Sequence, residues 1–201
     1  METRQRIVLL AALFLFGSIP VTQSVVEARQ PNVVFFLVDD LGWSDVGCYG
    51  SRFYETPNID SLAVEGVRFT NAYAACHVCS PTRASILTGK YPARLHLTDW
   101  LNGRPNTSFQ VLLNAKKAMS LEFEEVTIAE VLKKAGYATA LFGKWHLGRD
   151  TNPTEHGFDL HVPHSVNSNL GRRGFHDPQK IPGLDEGEYV TDRLAELAAE
   201  F

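Results

Sequence analysis

Seven consecutive residues, Asn32-Val33-Val34-Phe35-Phe36-Leu37-Val38, carry no charge and no breaker, and they stop at Asp39-Asp40-Leu41-Gly42. A β-branched and aromatic run without polar alternation suits a strand covered on both faces, the kind that parallel sheets use. Asn58 to Gly66 reads as a short helix, and Val67 to Ala74 as a second strand. Ser80-Pro81 is expected to open a helix running to about Thr88, with Ser80 as cap and Pro81 at the first helical position, closed by Gly89. Leu97 to Glu125 is polar and broken by Asn-Gly and Arg-Pro steps, which makes it a long surface loop. Thr127-Ile128-Ala129-Glu130 is a capping box for a helix stopping at Gly136, Tyr137 to Phe142 is a further strand, and Tyr189 to Phe201 is helical.

Strands alternating with helices predict an α/β fold, with a mainly parallel sheet flanked by helices. Ligands of such sheets collect at the carboxyl ends of the strands. Asp39 and Asp40 follow the first expected strand, Cys79 follows the second, and Lys144 and His146 follow the third. Three strand exits are therefore expected to converge on one pocket.

The chain of 201 residues is long enough for one domain with a core, and its 44% hydrophobic and 21% charged content is that of a globular protein. The net charge of -4, with no dense Lys/Arg cluster, argues against a nucleic-acid partner. At the N-terminus, Arg4 and Arg6 precede an apolar run from Ile7 to Phe16, and Val26-Glu27-Ala28 offers small residues for cleavage. Residues 1–28 thus read as a secretory signal, with an uncleaved anchor as the alternative, and the mature protein as secreted or periplasmic. Three cysteines remain after it: Cys48, Cys76 and Cys79. An odd number outside the cytosol leaves one unpaired or modified.

The densest chemical signal is Cys79-Ser80-Pro81-Thr82-Arg83-Ala84-Ser85-Ile86-Leu87-Thr88-Gly89. A residue at a helix mouth meets unpaired amide hydrogens and the positive end of the macrodipole, and Arg83 adds a fixed charge one turn further on. Such a place holds an anion. Simpler readings stand beside this one. Asp39-Asp40 alone could be a solvated turn, Cys76-His77-Val78-Cys79 a redox pair or half a zinc site, and Arg83 a helix-face charge. Cys48 and Cys76 read as buried small residues, or as a disulfide if they lie close. Asn106-Thr107-Ser108 satisfies the glycosylation pattern.

Cys79-x-Pro81-x-Arg83 followed by Leu87-Thr88-Gly89 resembles the sulfatase family, of the formylglycine-dependent, arylsulfatase-like type. Gly136 to His146, ending in Gly143-Lys144-Trp145-His146, resembles the family's second signature, and Asp39-Asp40 and Pro57-Asn58-Ile59-Asp60 fit as well. The resemblance implies an alkaline-phosphatase-like sulfatase fold, with residues 29–201 as the N-terminal part of the catalytic domain. It implies that a formylglycine-generating enzyme oxidises Cys79 to formylglycine, whose hydrate attacks sulfur. It implies a calcium ion held by Asp39, Asp40 and the modified Cys79. Arg83 would steady the diol, Lys144 and His146 would hold the sulfate and help the leaving oxygen, and Ser165 would face the sulfate. The substrate would be a sulfated small molecule or a sulfated glycan.

The sequence also departs from the family. The family's later half supplies an Asp-Asn pair to the metal, and no Asp-Asn step occurs in these 201 residues. The expectation is a truncated chain with a half-built metal site and an incomplete sheet. Two further functions stay open at this point: a phosphonate or phosphate ester hydrolase built on the same nucleophile, and a non-catalytic secreted module that binds sulfated glycans.

Overall fold

The computed structural model describes residues 30–148, 151–162, 181–185 and 188–201. The expected signal at 1–28 and Ser165 lie outside the described residues. The chain divides into two units, Met1–Leu37 and Val38–Phe201. In the first, the described residues 30–37 are irregular and exposed, with Phe36 presenting 81% of its surface.

The second unit holds four α-helices among the described residues: α1 (Pro57–Glu65), α2 (Cys79–Thr88), α3 (Ile128–Lys134) and α4 (Val190–Glu200). Its strands β1 (Ala140–Phe142) and β2 (Leu160–Val162) pair in parallel, with Ala140 opposite Leu160 and Phe142 opposite Val162. The segment joining them carries a 3-10 turn at Pro153–His156. No described helix is long and apolar enough to cross a membrane. The architecture is the expected one, a parallel sheet flanked by helices, with two strands in the ladder.

Two expected strands do not form. Residues 32–38 and 67–74 carry no ladder, and Val67, Phe69 and Tyr73 stand in solvent. A β-rich sequence becomes a strand only where another backbone edge accepts its N–H and C=O groups. The third strand is shorter than expected, beginning at Ala140 rather than Tyr137, and β2 was not foreseen because Leu160-His161-Val162 is too short to show periodicity.

Local chemistry accounts for the helices. Pro57 opens α1 and Gly66 closes it, its N–H donating to the Leu62 carbonyl. In α3 the capping box is complete: Thr127 Oγ1 accepts from the Glu130 N–H, and the Glu130 side chain accepts from the Thr127 N–H. Thr127 Oγ1 also donates to the His156 carbonyl at 2.7 Å, which ties α3 to the β1–β2 connection. The α2 boundary differs from expectation. Val78, in extended conformation, is the residue before the helix, and Cys79 is its first residue. Ser80 makes no cap, because its hydroxyl accepts a hydrogen bond from the Leu101 N–H at 3.0 Å instead.

Two apolar clusters hold these elements. The larger joins Ala84 of α2, Ala129 of α3, Leu97, Leu101 and Leu121 of the long loop, and Trp145, Leu147 and Phe158 from either end of the β1–β2 connection. The smaller seats α4 on the sheet through Val162, Ile181, Leu184 and Val190, with Phe142 and Leu194 against them. Deep burial of Leu97, Leu121 and Leu147 makes the "surface" loop a structural part of the core, although its backbone is irregular.

Candidate active site

β1 ends at Phe142, and Gly143 turns the chain with φ 108°, a value that glycine adopts without strain. The turn is anchored by the Gly143 N–H, which donates to the Val162 carbonyl at 2.7 Å. Beyond it, burial alternates. Trp145 and Leu147 are buried, whereas Lys144 and His146 are half-buried and point the other way. Trp145 packs edge-on against Phe158 and 5.3 Å from the His156 ring, and the Leu147 carbonyl accepts from the Leu121 N–H at 2.8 Å. The buried pair thus presents Lys144 and His146 to the opposite side of the segment. His146 takes a left-handed backbone, φ 58°, to do so.

Helix α2 delivers Cys79 and Arg83 to the same place. Cys79 Sγ lies 3.1 Å from His146 Nδ1, a contact between residues 67 positions apart. Arg83 is 9% exposed; one arm of its guanidinium donates to the Lys144 carbonyl at 2.6 Å and the other to Asp39 Oδ2 at 3.3 Å. Lys144 Nζ donates to that same Asp39 oxygen at 2.5 Å. Asp39, Cys79, Arg83, Lys144 and His146 therefore meet, as the sequence predicts. Only Lys144 and His146 arrive from a strand exit; Asp39 arrives from an irregular segment, and Cys79 from the first turn of α2. Asp40 is exposed and left-handed, φ 58°.

Burial pushes the Asp39 carboxyl upward, but Lys144, bonded and charged, and then Arg83 outweigh it and hold the group below its ordinary value of 3.8. Burial, followed by the Lys144 charge, pulls His146 below 6.5, against a hydrogen bond with the Leu101 backbone that acts the other way. Burial also lowers His156 and His161. An unfolded chain with ordinary imidazoles binds protons that the folded chain refuses. Stability is then fully present above pH 6.5 and declines as pH falls below it. The urea midpoint is expected to drop between about pH 7 and pH 5, and less steeply in His156→Gln. A flat or rising midpoint over that range contradicts the assignment.

The three cysteines are free, so Cys48 and Cys76 form no disulfide with each other. Cys76 Sγ lies 3.8 Å from His77 Nδ1, whereas Cys79 faces His146. Among the described residues, no group of three or more His, Cys, Asp and Glu is placed to hold a metal. Calcium takes about six to eight oxygens. The Asp39 and Asp40 carboxylates fall short of that, and Asp39 Oδ2 already serves two cations. These residues alone do not complete a hard-cation site.

The bond from the Leu101 N–H to Ser80 Oγ, next to Cys79, was not anticipated. A main-chain group carries no residue-type signature, so no motif announces it.

Fold and site together define an α/β protein in which a thiol, an imidazole and two cations gather at the carboxyl end of a parallel strand. The sulfatase family model matches residues 31–201. The chain belongs to the sulfatase family. It is 41% identical to steryl-sulfatase of Homo sapiens over 140 residues, covering 66% of this chain and 23% of that protein. It is 37% identical to arylsulfatase A of Homo sapiens over 182 residues, covering 86% of this chain and 34% of that protein. Among solved structures, BT4656 in complex with its substrate D-glucosamine-2-N,6-O-disulfate aligns with TM-score 0.55 and 33% identity, over 73% of this chain and 24% of that one. The chain thus spans about a quarter to a third of the length of these relatives.

Proposed function

We propose that residues 29–201 supply the nucleophile and part of the anion cradle of a sulfuric ester hydrolase, exported by a signal at residues 1–28. The observation that carries this reading is the 3.1 Å approach of Cys79 to His146 beside the Arg83–Asp39–Lys144 cluster. Family membership supports it, and so does the sulfated sugar bound by BT4656.

In this reading the Cys79 sulfur stands where an oxygen of a hydrated formylglycine sits after a formylglycine-generating enzyme has acted. That hydrate provides one hydroxyl to attack sulfur and a second whose deprotonation later expels sulfate. A thiol has no such internal exit. An anionic ester repels an oxygen nucleophile, and one opposite charge at 4 Å is worth roughly 4 kcal/mol at an effective dielectric near 20. Lys144 and Arg83, fixed by Asp39 before substrate arrives, meet that requirement without reorganising. Lys144 binds a sulfate oxygen, and His146, held neutral by its half-buried position beside Lys144, exchanges a proton with the group at position 79. Ser165 is proposed as a further sulfate contact. Asp39 and Asp40, with the group at position 79, are proposed as part of a calcium site whose remaining ligands these residues do not provide. The substrate is a sulfated small molecule or a sulfated glycan.

Expression with a formylglycine-generating enzyme, followed by mass spectrometry of the Cys79 peptide, tests the reading. Formylglycine at position 79 is expected, and an intact thiol would overturn it. Given a modified chain, sulfate release from an ester is expected to exceed release from the matching phosphonate; the reverse preference would reassign the substrate.

A further inference from the structure

Gly143 stands where β1 gives way to the segment that carries Lys144 and His146. A Cβ at this position would meet nothing closer than Leu194 Cδ1 at 3.9 Å, so glycine is needed for its φ of 108° and not for space. The same freedom leaves the peptide joining Gly143 to Lys144 able to rotate, and Lys144 would turn with it. Contacts from outside the turn must fix that peptide.

Three consecutive peptides are held there, each by a different group. The Gly143 N–H donates to the Val162 carbonyl at 2.7 Å, which sets the peptide before it. The Lys144 carbonyl accepts from Arg83 at 2.6 Å, which sets the peptide after Lys144. The peptide between them is set by a side chain: the Gly143 carbonyl lies 3.2 Å from His161 Nε2, across 18 positions of sequence. A carbonyl oxygen only accepts, so Nε2 carries the hydrogen and donates. His161 reaches this oxygen from the middle of β2, where Leu141 is its partner in the ladder. Successive strand side chains face opposite ways. Val162 enters the cluster that seats α4, and the half-buried His161 ring lies on the other face.

We propose that His161 is a positioning residue for the pocket. Its Nε2–H holds the Gly143 carbonyl, and the Gly143–Lys144 peptide therefore keeps one orientation. Lys144 and His146 then leave the strand aimed at Asp39 and Cys79, which they meet at 2.5 Å and 3.1 Å. Neither of the two motifs contains His161, because it acts from the neighbouring strand on a main-chain oxygen. Its contribution to sulfate release rests on the sulfatase reading; its hold on Gly143 does not.

The test reads the full chain by NMR at about pH 8, where an ordinary imidazole is neutral, with the cysteines unmodified. Long-range proton–nitrogen spectra are expected to show His161 protonated on Nε2, the signal being assigned by its loss in His161→Gln. His161→Phe keeps a ring without the donor. It is expected to shift and broaden the Lys144 amide, which shares a peptide with the Gly143 carbonyl, while the ladder amides of β1 and β2 stay protected. His161→Gln offers an amide N–H at a similar reach and is expected to return the Lys144 signal toward its wild-type position. In matured protein that releases sulfate, His161→Phe is expected to lower kcat/KM by about 10- to 100-fold, and His161→Gln to recover most of it. A bare Nε2 in the wild-type chain overturns the proposal. So does a folded His161→Phe chain whose Lys144 amide is unmoved, or one that loses ladder protection along with it, which would mark a merely structural role. A His161→Gln chain no closer to wild type than His161→Phe overturns it as well. If His161→Phe does not fold, the wild-type Nε2 proton and the Lys144 amide of His161→Gln decide. Absence of formylglycine or of sulfate release refutes the enzymatic reading and leaves the NMR result standing.

Discussion

Replacing Cys79 with alanine is expected to abolish both the aldehyde and sulfate release while leaving the fold in place. The first effect is all-or-none: a hydrazide probe labels the wild-type chain after maturation and does not label Cys79→Ala. Where the matured protein releases sulfate, the loss is on the order of 10⁶-fold, the scale seen when a covalent nucleophile is removed from a group that works as a unit. The fold survives because Cys79 is half-buried and its sulfur contacts the His146 ring, outside both apolar clusters. A change in stability within about 1 kcal/mol is expected, ordinary for a site away from the core. Cys48→Ala and Cys76→Ala serve as controls. Both side chains are half-buried thiols without a disulfide, and neither lies against His146. Labelling that persists in Cys79→Ala, or is lost in Cys76→Ala, would place the nucleophile elsewhere.

The site was more legible in the sequence than the sheet. Cys79, Arg83, Lys144 and His146 are side-chain signals at fixed spacing within two motifs, and residue type and spacing survive any change in the surrounding backbone. A strand is a relation between two segments. Residues 32–38 and 67–74 have the right composition, yet the described ladder contains only Ala140–Phe142 and Leu160–Val162. The convergence held for a reason that differs from the one expected. Asp39 is brought to the pocket by the two cations bonded to it rather than by a strand exit. Helix limits failed where a side chain had a competing use: Ser80 looks like a cap, and its hydroxyl serves Leu101 instead. Capping was read correctly at Thr127, where both halves of the box lie within four residues. Metal ligation is the least legible part, since Asp39, Asp40 and the group at position 79 supply fewer donors than calcium takes.

Substituting Arg83 with methionine is expected to cost the folded chain about 3 kcal/mol, near the lower end of the range for breaking a buried ion pair from one side. Two consequences add up. Asp39 loses one of the two cations that hold it ionised, and Lys144 remains alone against the burial that raises its pKa. The Lys144 carbonyl loses the donor 2.6 Å away, a guanidinium that is itself only 9% exposed. The methionine fills most of the volume, so a cavity contributes little, and the loss is chiefly electrostatic. The lower end of the range applies because the Asp39 side chain is 30% exposed and water replaces part of the lost interaction. Lysine at this position keeps the charge but cannot fork between a carboxylate and a carbonyl, so Arg83→Lys is expected to recover less than half of the loss. Asp39→Asn combined with Arg83→Met removes both charges, and the double variant is expected to be more stable than the two single losses would sum to, by about 1 kcal/mol or more. Urea midpoints of the four chains decide it. If Arg83→Met melts at the wild-type midpoint, or the two losses simply add, Arg83 and Asp39 are not coupled, and the cation beside position 79 is not held by the carboxylate that the structure places against it.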